Sequence, residues 1–563
     1  MNEQDMSRAL LEQHFDIAFA APDGIKKLRE LILTLAMQGK LVPQDPNDQP
    51  ASELLKEIEA EKRRMVKAGK IREPKPLPEI KPDEVPYELP KSWEWVRFAN
   101  IAQHNSGKML DKSRNKGKYR DYITTSNLYW GFFELDNVRQ MPISDEEIEK
   151  CTARKGDLLL CEGGEAGRAA VWFYDNEVCF QNHIHRARFY CDIDPYYAYR
   201  FFEKLNATGE INQYRQGVGI SNMSGKVLAS IVLPFPPLAE QKRIVARIDQ
   251  LMTRCDELEK LRSDREAKRL TVHISALNRL FEAQGSDSFT DAWQFLNRHF
   301  GELYSVKANV TELRKAMLQL GVMGKLVPQD PNDQPASELL KEIEAEKRRL
   351  VKEGKIKPQK PLPEIKPGDV PCELPVGWKW VRLGQVTDYN GRKNIASEEI
   401  ADDTWLLDLE DIEKDTSRII YRAKYSERLS TSTKSTFQKG DVLYGKLRPY
   451  LNKVVVADTD GVCTTEIIPI VPSNVIDSQF LRWLLKRPAF LTHVDSLMYG
   501  VKMPRLGTDD AVKSIHPLPP LTEQYRIVVK IDKLMALCDQ LEQQIDATAG
   551  KQSALLNAIM AQM

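Results

Sequence analysis

The sequence predicts an α+β protein: two sheet-containing α/β domains with twisted sheets, separated by a long antiparallel two-helix coiled coil and related by a pseudo-twofold internal repeat. Three observations predict it. The stretch Gly39–Ile71 returns at Gly324–Ile356 with two changes, Met65 to Leu350 and Ala68 to Glu353, a spacing of 285 residues. The run PPLAEQKRIVARIDQLMTRCDELE from Pro236 returns from Pro519 as PPLTEQYRIVVKIDKLMALCDQLE, a spacing of 283. Between these copies lie two segments, 97–233 and 382–516, that resemble each other only faintly. Constant frames around variable inserts describe a tandem duplication.

The first elements are helical. Ile25, Leu28, Leu31, Ile32, Leu35 and Ala36 fall at helical spacing, and Gly39 is a natural stop. The DPNDQP turn leads into a charged helix, ASELLKEIEAEKRRMVKAGK, with Glu59 and Arg63 at i,i+4. That helix reads as a solvated face laced with ion pairs. Six prolines over 71–91 make a stiff, extended spacer. Trp93 and Trp95, repeated as Trp378 and Trp380, sit two apart as on one strand face and anchor a core.

The first insert alternates β-like runs with turns: VRFANIAQH, DYITTSNLYWGFFEL, DLLLCEGG, AAVWFY and CFQNHIHRARFY, with helix near Pro195–Leu205. From Leu238 the period changes. Ile244, Ile248, Leu251, Cys255 and Leu258 step by 4, 3, 4, 3, the spacing of a coiled-coil seam. Helical character persists to about Phe281, a length of roughly 65 Å at 1.5 Å per residue, and SDSFTD breaks it. The last helix repeats the seam through Ile527, Ile531, Leu534, Cys538 and Leu541. Two matched seams from duplicated halves predict an antiparallel pair. The expected domains are 1–91, 92–236, 237–376, 377–520 and 521–563.

Composition narrows the class. Lys+Arg and Asp+Glu balance at 81 each, so any nucleic-acid affinity must come from local patches. No run approaches 18 apolar residues, no signal pattern opens the chain, and the eight cysteines form no CxxC pair. A cytoplasmic protein with reduced thiols and no membrane association is expected.

Catalytic motifs are missing where they would be needed. Asp194-Pro195-Tyr196-Tyr197 approaches the D-P-P-Y signature of amino-methyltransferases without its second proline, and no glycine-rich cofactor loop accompanies it. Gly163–Gly167 is glycine-dense but has no Walker lysine, and Glu79-Ile80-Lys81 and Glu364-Ile365-Lys366 lie inside proline spacers. Cys179, His183, His185 and Cys191 match no standard zinc spacing, and the two histidines are expected on a sheet face. No catalytic residue, metal or cofactor is expected in this chain.

Basic and polar clusters are the better signal. His104–Arg120 holds Lys108, Lys112, Arg114, Lys116, Lys118 and Arg120 against one Asp111, as in a loop tracking phosphates. Thr124, Thr125, Ser126 and Asn127, with Gln181, Asn182 and His183, supply donors and acceptors of the kind that read base edges. The second insert has Lys446, Arg448, Tyr450 and Lys453, with Arg392, Lys393, Lys502 and Arg505. Each residue alone reads equally well as a solvated surface charge. Their presence in both inserts, in unlike forms, favours double-stranded DNA as partner. The competing class is a two-headed coiled-coil scaffold that joins proteins and reads no DNA.

The motif PxPPLxEQxRIVxxIDxLMxxCDxLE after each insert, and GKLVPQDPNDQPASELLKEI before each, resemble the conserved regions of the specificity subunit of type I restriction-modification systems. KGDLLLCEGGEAGRAAVWF and QNHIHRAR, then KGDVLYGKLRPYLNKVVVAD and TTEIIPI, are similar to its target-recognition domains. The resemblance spans nearly the whole chain. It implies that each insert reads one half of a split DNA site in the major groove. It also implies that the helices set the spacer and bind two modification subunits, which carry S-adenosylmethionine and methylate adenine at N6. Restriction subunits that use ATP and magnesium would complete the enzyme.

Overall fold

Helix α1 (Gly24–Met37) forms where the apolar spacing places it and buries Leu31, Ile32, Leu33, Ala36 and Met37. It stops at Gly39, whose φ of +69° is left-handed and whose missing Cβ leaves room for Pro90. Gly324 repeats this with φ +66° against Pro375. Helix α2 (Ala51–Lys67) is amphipathic and buries Ala51, Leu54 and Ile58. Its ion pairs run i,i+3 rather than i,i+4, as in Lys62–Glu59 (2.8 Å) and Arg64–Glu61 (2.7 Å). Lys62 is turned inward over the Tyr190 ring, which moves its partner to the nearer turn.

The structure is a computed structural model describing residues 19–73, 76–109, 116–217, 221–283, 286–354, 361–428, 430–497 and 504–561. It falls into two units, residues 1–265 with 549–563, and residues 266–548.

In the first unit, β1 (Glu94–Arg97) and β10 (Val232–Phe235) pair antiparallel and bring the two ends of the insert together. Inside lie β2 (Ala102–Ser106), β3 (Lys118–Ile123), β4 (Arg139–Ile143), β5 (Thr152–Ala153), β6 (Leu158–Cys161), β7 (Ala169–Val171), β8 (Val178–Phe180) and β9 (Ile184–Phe189). One sheet has the order β2-β9-β6-β7, all antiparallel. The other has the order β4-β3-β8-β5, with β3 and β8 parallel. Helix α3 (Pro195–Ala207) covers the first sheet with Phe201, Phe202 and Leu205.

The second unit repeats this plan. Strands β11 (Lys379–Arg382) and β21 (Ile515–Leu518) pair at the ends of the insert. Between them run β12 (Thr387–Tyr389), β13 (Asn394–Ile395), β14 (Trp405–Leu407), β15 (Ala423–Lys424), β16 (Lys434–Phe437), β17 (Val442–Gly445), β18 (Val454–Val456), β19 (Gly461–Cys463) and β20 (Ile467–Pro472). The antiparallel sheet β12-β20-β17-β18 corresponds strand for strand to β2-β9-β6-β7. The mixed sheet β15-β14-β19-β16 corresponds to β4-β3-β8-β5, again with its second and third strands parallel, and gains β13 at one edge. Two inserts of faint sequence resemblance therefore share one topology.

Helix α4 (Leu238–Glu282) is continuous over 45 residues, and the final helix α10 (Leu521–Ala561) over 41. The seam divides. Ile244, Ile248 and Cys255 lie in one core with Ile32, Leu33 and Ala36 of α1, Leu251 is half-buried, and Leu258 is 46% exposed. Ile527 and Ile531 pack with Leu318 and Val322 of α6 (Lys307–Val322), and Leu534 is half-buried. Cys538 and Leu541 share a core with Ala276, Leu277 and Leu280 from the end of α4. Matching ion pairs lie beside the seam: Arg29 with Asp256 and Glu259, and Arg314 with Asp539 and Glu542.

Other expectations shift in detail. The long helix ends at Glu282, close to the expected Phe281, but SDSFTD is not what breaks it, since that run opens α5 (Ser286–Arg298). VRFANIAQH is broken by one helical turn at Phe98–Ile101. DYITTSNLYWGFFEL is a strand only to Ile123, because Asn127 accepts from the Thr124 backbone N–H and side chain and folds the run into a turn. The proline spacers are pinned by buried arginines. Arg97 donates to the carbonyls of Pro78 and Glu79 and to Glu84, and Arg382 donates to those of Pro363 and Glu364. Among the described residues no helix is long and apolar enough to cross a membrane.

Candidate nucleic-acid interface

The repeated frame holds each insert by its EQ dipeptide. Glu240, fully buried, accepts from the Trp93 indole (2.9 Å) and the Gln44 amide (2.6 Å), while Gln241 accepts from the Asp194 backbone N–H and donates to the Pro236 carbonyl. Glu523 and Gln524 repeat this with Trp378, Gln329, Asp477 and Pro519. Burial raises the carboxyl pKa of both glutamates, and their hydrogen bonds oppose the shift. The latched Asp194 caps α3 by accepting from Tyr196 N, with Pro195 in the first turn, so the D-P-Y-Y run is a helix start. Asp477 caps α8 (Ser478–Lys486) in the same way.

On the first insert the loop after β2 meets the turn between β8 and β9. Lys108 N donates to the Phe180 carbonyl (3.0 Å), Asn182 N donates to the Lys108 carbonyl (3.0 Å), and Gln181 N donates to the Ile123 carbonyl (3.0 Å). A Cβ on Gly107 would stand 2.0 Å from the Phe180 oxygen, so only glycine permits this approach. Lys108, Gln181, Asn182 and the 124–127 turn are thereby brought to one edge. Asn182 Oδ1 is buried without a hydrogen-bond partner among the described residues. His183 and Ser126 are exposed, and Thr125 is half-buried. Thr124 and Asn127 are buried and hold the turn instead of facing out.

Lys108 pairs with Glu147, whose carboxyl pKa it lowers, and Arg120 pairs with Asp145 at 3.0 Å. Lys116 and Lys118 are exposed. Lys112, Arg114 and Lys502 lie outside the described residues. His183 and His185 do not share a sheet face: His183 precedes β9, whereas His185 is buried and donates from Nε2 to the Met223 carbonyl (3.1 Å).

On the second insert Arg392 is held bidentately by the buried Asp441 (2.7 Å for both bonds), and Arg505 by Glu466 (3.0 and 2.9 Å). Lys453 turns inward to the Leu409 carbonyl (2.7 Å). Lys393, Arg448 and Tyr450 are exposed, with Lys446 half-buried beside them. Sequence reasoning missed one stacked pair: the half-buried Tyr129 and the exposed Phe132 stack at 5.0 Å, with the Arg168 guanidinium over Tyr129. The aromatic run YWGFF was the signal available for it.

A family model described as "Type I restriction modification DNA specificity domain" matches residues 90–269 and, a second time, 375–549. The chain belongs to the specificity-subunit family of type I restriction-modification enzymes. It is 35% identical to the EcoAI specificity subunit of Escherichia coli, over 95% of this chain and 93% of that relative. It is 32% identical to the EcoEI specificity subunit of Escherichia coli, over the same shares of the two chains. The solved HsdS subunit from Thermoanaerobacter tengcongensis aligns with a TM-score of 0.41 at 17% identity, covering 84% of this chain and 98% of that one. As a type I specificity subunit, the chain is a non-catalytic DNA-recognition component, and catalysis resides in partner subunits.

Proposed function

We propose that each sheet-rich insert, 92–236 and 377–520, reads one half of a split, asymmetric DNA site in the major groove. The frame regions 1–91, 237–376 and 521–563 hold the readers. The long helices set the gap between the half-sites and dock two modification subunits. Those subunits carry S-adenosylmethionine and methylate adenine at N6 after flipping it from the stack. Restriction subunits using ATP and magnesium complete the enzyme, which acts in the cytoplasm.

One observation carries this reading: a single topology presents unlike tips. The first insert offers Gln181, Asn182, His183 and Ser126, and the second Lys393, Lys446, Arg448 and Tyr450. Amide and guanidinium groups are the side chains that pair with adenine and guanine edges, while lysines contribute phosphate contacts that fall off with salt. A shared scaffold with different readers suits two different half-sites.

The test is a map of N6-methyladenine in cells carrying the chain with its modification subunit, against cells lacking the chain. A split motif that vanishes with the chain, and whose one half changes when residues 92–236 are exchanged, is the expected result. An unchanged motif after exchange would overturn the half-site assignment.

A further inference from the structure

Six non-glycine residues in the described structure have φ between 48° and 62°, where side chains are strained, and four of them sit in two loops of the second insert. Asp415 and Ser417 lie in one loop, and Arg448 and Asn452 in the other. The loops are tied: Asp415 N donates to the Leu451 carbonyl (3.1 Å), and Ser417 Oγ donates to the Asn452 carbonyl (2.8 Å). Strain of this kind persists only where surrounding contacts over-determine it.

The contact that does so comes from inside. Lys486, the last residue of α8, is 5% exposed, and its Nζ donates to the Asp415 carbonyl (2.6 Å), Ser417 Oγ (2.5 Å) and the Asn452 carbonyl (3.3 Å). One ammonium with three donors thus meets acceptors from both strained loops. Burial is costly for this group, lowering its pKa to about 7, with Arg482 adding to the shift and Asp415 opposing it. An apolar side chain would fill the space without that cost but would take the shared donor from all three acceptors, leaving the loops held to each other by their two mutual hydrogen bonds.

On the solvent side, the same loop carries Arg448 and Tyr450, both exposed. The Arg448 backbone N–H is fixed to the Pro504 carbonyl (2.8 Å). Its guanidinium has no hydrogen bond or ion pair among the described residues, unlike those of Arg392 and Arg505.

We propose that Lys486 is the positioning residue of the second insert, holding loop 447–452 in the strained form that projects Arg448 and Tyr450 as its DNA-reading tip. The proposal rests on the half-site reading above and names the residues that would carry it. Arg448 is the recognition group, a planar fork suited to the N7 and O6 edge of guanine. Lys486 touches no DNA and acts through the loop.

The experiment uses the full complex with its modification subunits and duplexes carrying the mapped site, with either half scrambled. Arg448→Ala is expected to reduce discrimination at one half-site about ten- to a hundred-fold, the range for a good base contact. Lys486→Met is expected to reduce discrimination at that same half only, with assembly retained, and Lys486→Arg to restore part of it. Ser417→Ala is a milder variant that loosens the same tie if Lys486→Met fails to fold. Discrimination unchanged in Lys486→Met, or in Ser417→Ala, while Arg448→Ala loses it would overturn the positioning role. No effect of Arg448→Ala on either half would overturn the tip itself. Failure of the half-site reading shows separately, as a motif indifferent to exchange of residues 377–520.

Discussion

The Trp93 indole N–H donates to the buried carboxylate of Glu240 at 2.9 Å, and the pair recurs at the same distance as Trp378 and Glu523. Each tryptophan immediately precedes the strand that opens an insert, and each glutamate lies in the first turn of a long helix. The hydrogen bond therefore fastens a variable domain to its constant frame. Trp93→Phe keeps most of the ring volume but strips a buried acceptor of its partner, a loss of about 1–3 kcal/mol. Urea denaturation should show a matching loss for Trp378→Phe. A cost at one site only would mean that the duplicated geometry is not energetically equivalent.

Arg97 and Arg382 should matter more than any charged residue of α2. Arg97 is 3% exposed and ties Pro78, Glu79, Glu84 and Ser230 together, so Arg97→Met takes the side-chain donor from three carbonyls and removes the partner of the Glu84 carboxylate. The expected loss is about 1–3 kcal/mol, that of leaving buried carbonyl groups without a donor. Faster proteolysis within residues 76–91 is the local readout. A variant that resists protease like the parent would show that the spacer holds itself.

Stability should fall on mild acidification through buried histidines. His516 is enclosed by Ser514, Phe490, Arg487 and His493, and burial foremost, then Arg487 and His493, holds its pKa well below 6.5. Its Nε2–H donates to Ser514 Oγ (2.8 Å), because that hydroxyl already donates to the Ala511 carbonyl. Below pH 6.5 the unfolded chain takes up a proton that the folded chain does not, so stability is present above 6.5 and is lost as pH falls toward the folded pKa. His516→Asn should flatten the stability profile between about pH 7.5 and 5.5. An identical slope in that variant would assign the acid sensitivity elsewhere, with His185 the next to test, since burial lowers it too.

A heptad inserted after Leu258 should shift the spacer preferred between half-sites. Leu258 is exposed, so the insertion displaces no core side chain there, and it separates Asp256 from Glu259, which share Arg29. Losing one exposed ion pair costs at most about 1 kcal/mol. A methylation map with the original gap would remove the helix as the ruler.

Much of this was legible in the chain because it was written twice. Duplicated stretches marked the frame, the helical period marked α1, α4 and α10, and alternating apolar runs marked both inserts as sheet-bearing. Local signals failed where a side chain competes with the backbone. Asn127 looked like a base-reading group and is a turn-former, because its amide is the nearest partner for Thr124. Arg392 looked like a DNA contact, but Asp441, 49 residues away, is its partner.

The sequence by itself determined the duplication, the α+β class and the family, because these rest on periodicity and on motifs contiguous in the chain. Only the tertiary structure decided that two dissimilar inserts share one strand order, since strand pairing depends on backbone hydrogen bonds between distant segments. It also decided which basic residues remain available. A carboxylate 49 residues away neutralises Arg392 through space, and nothing in the local sequence of Arg448 distinguishes it from Arg392.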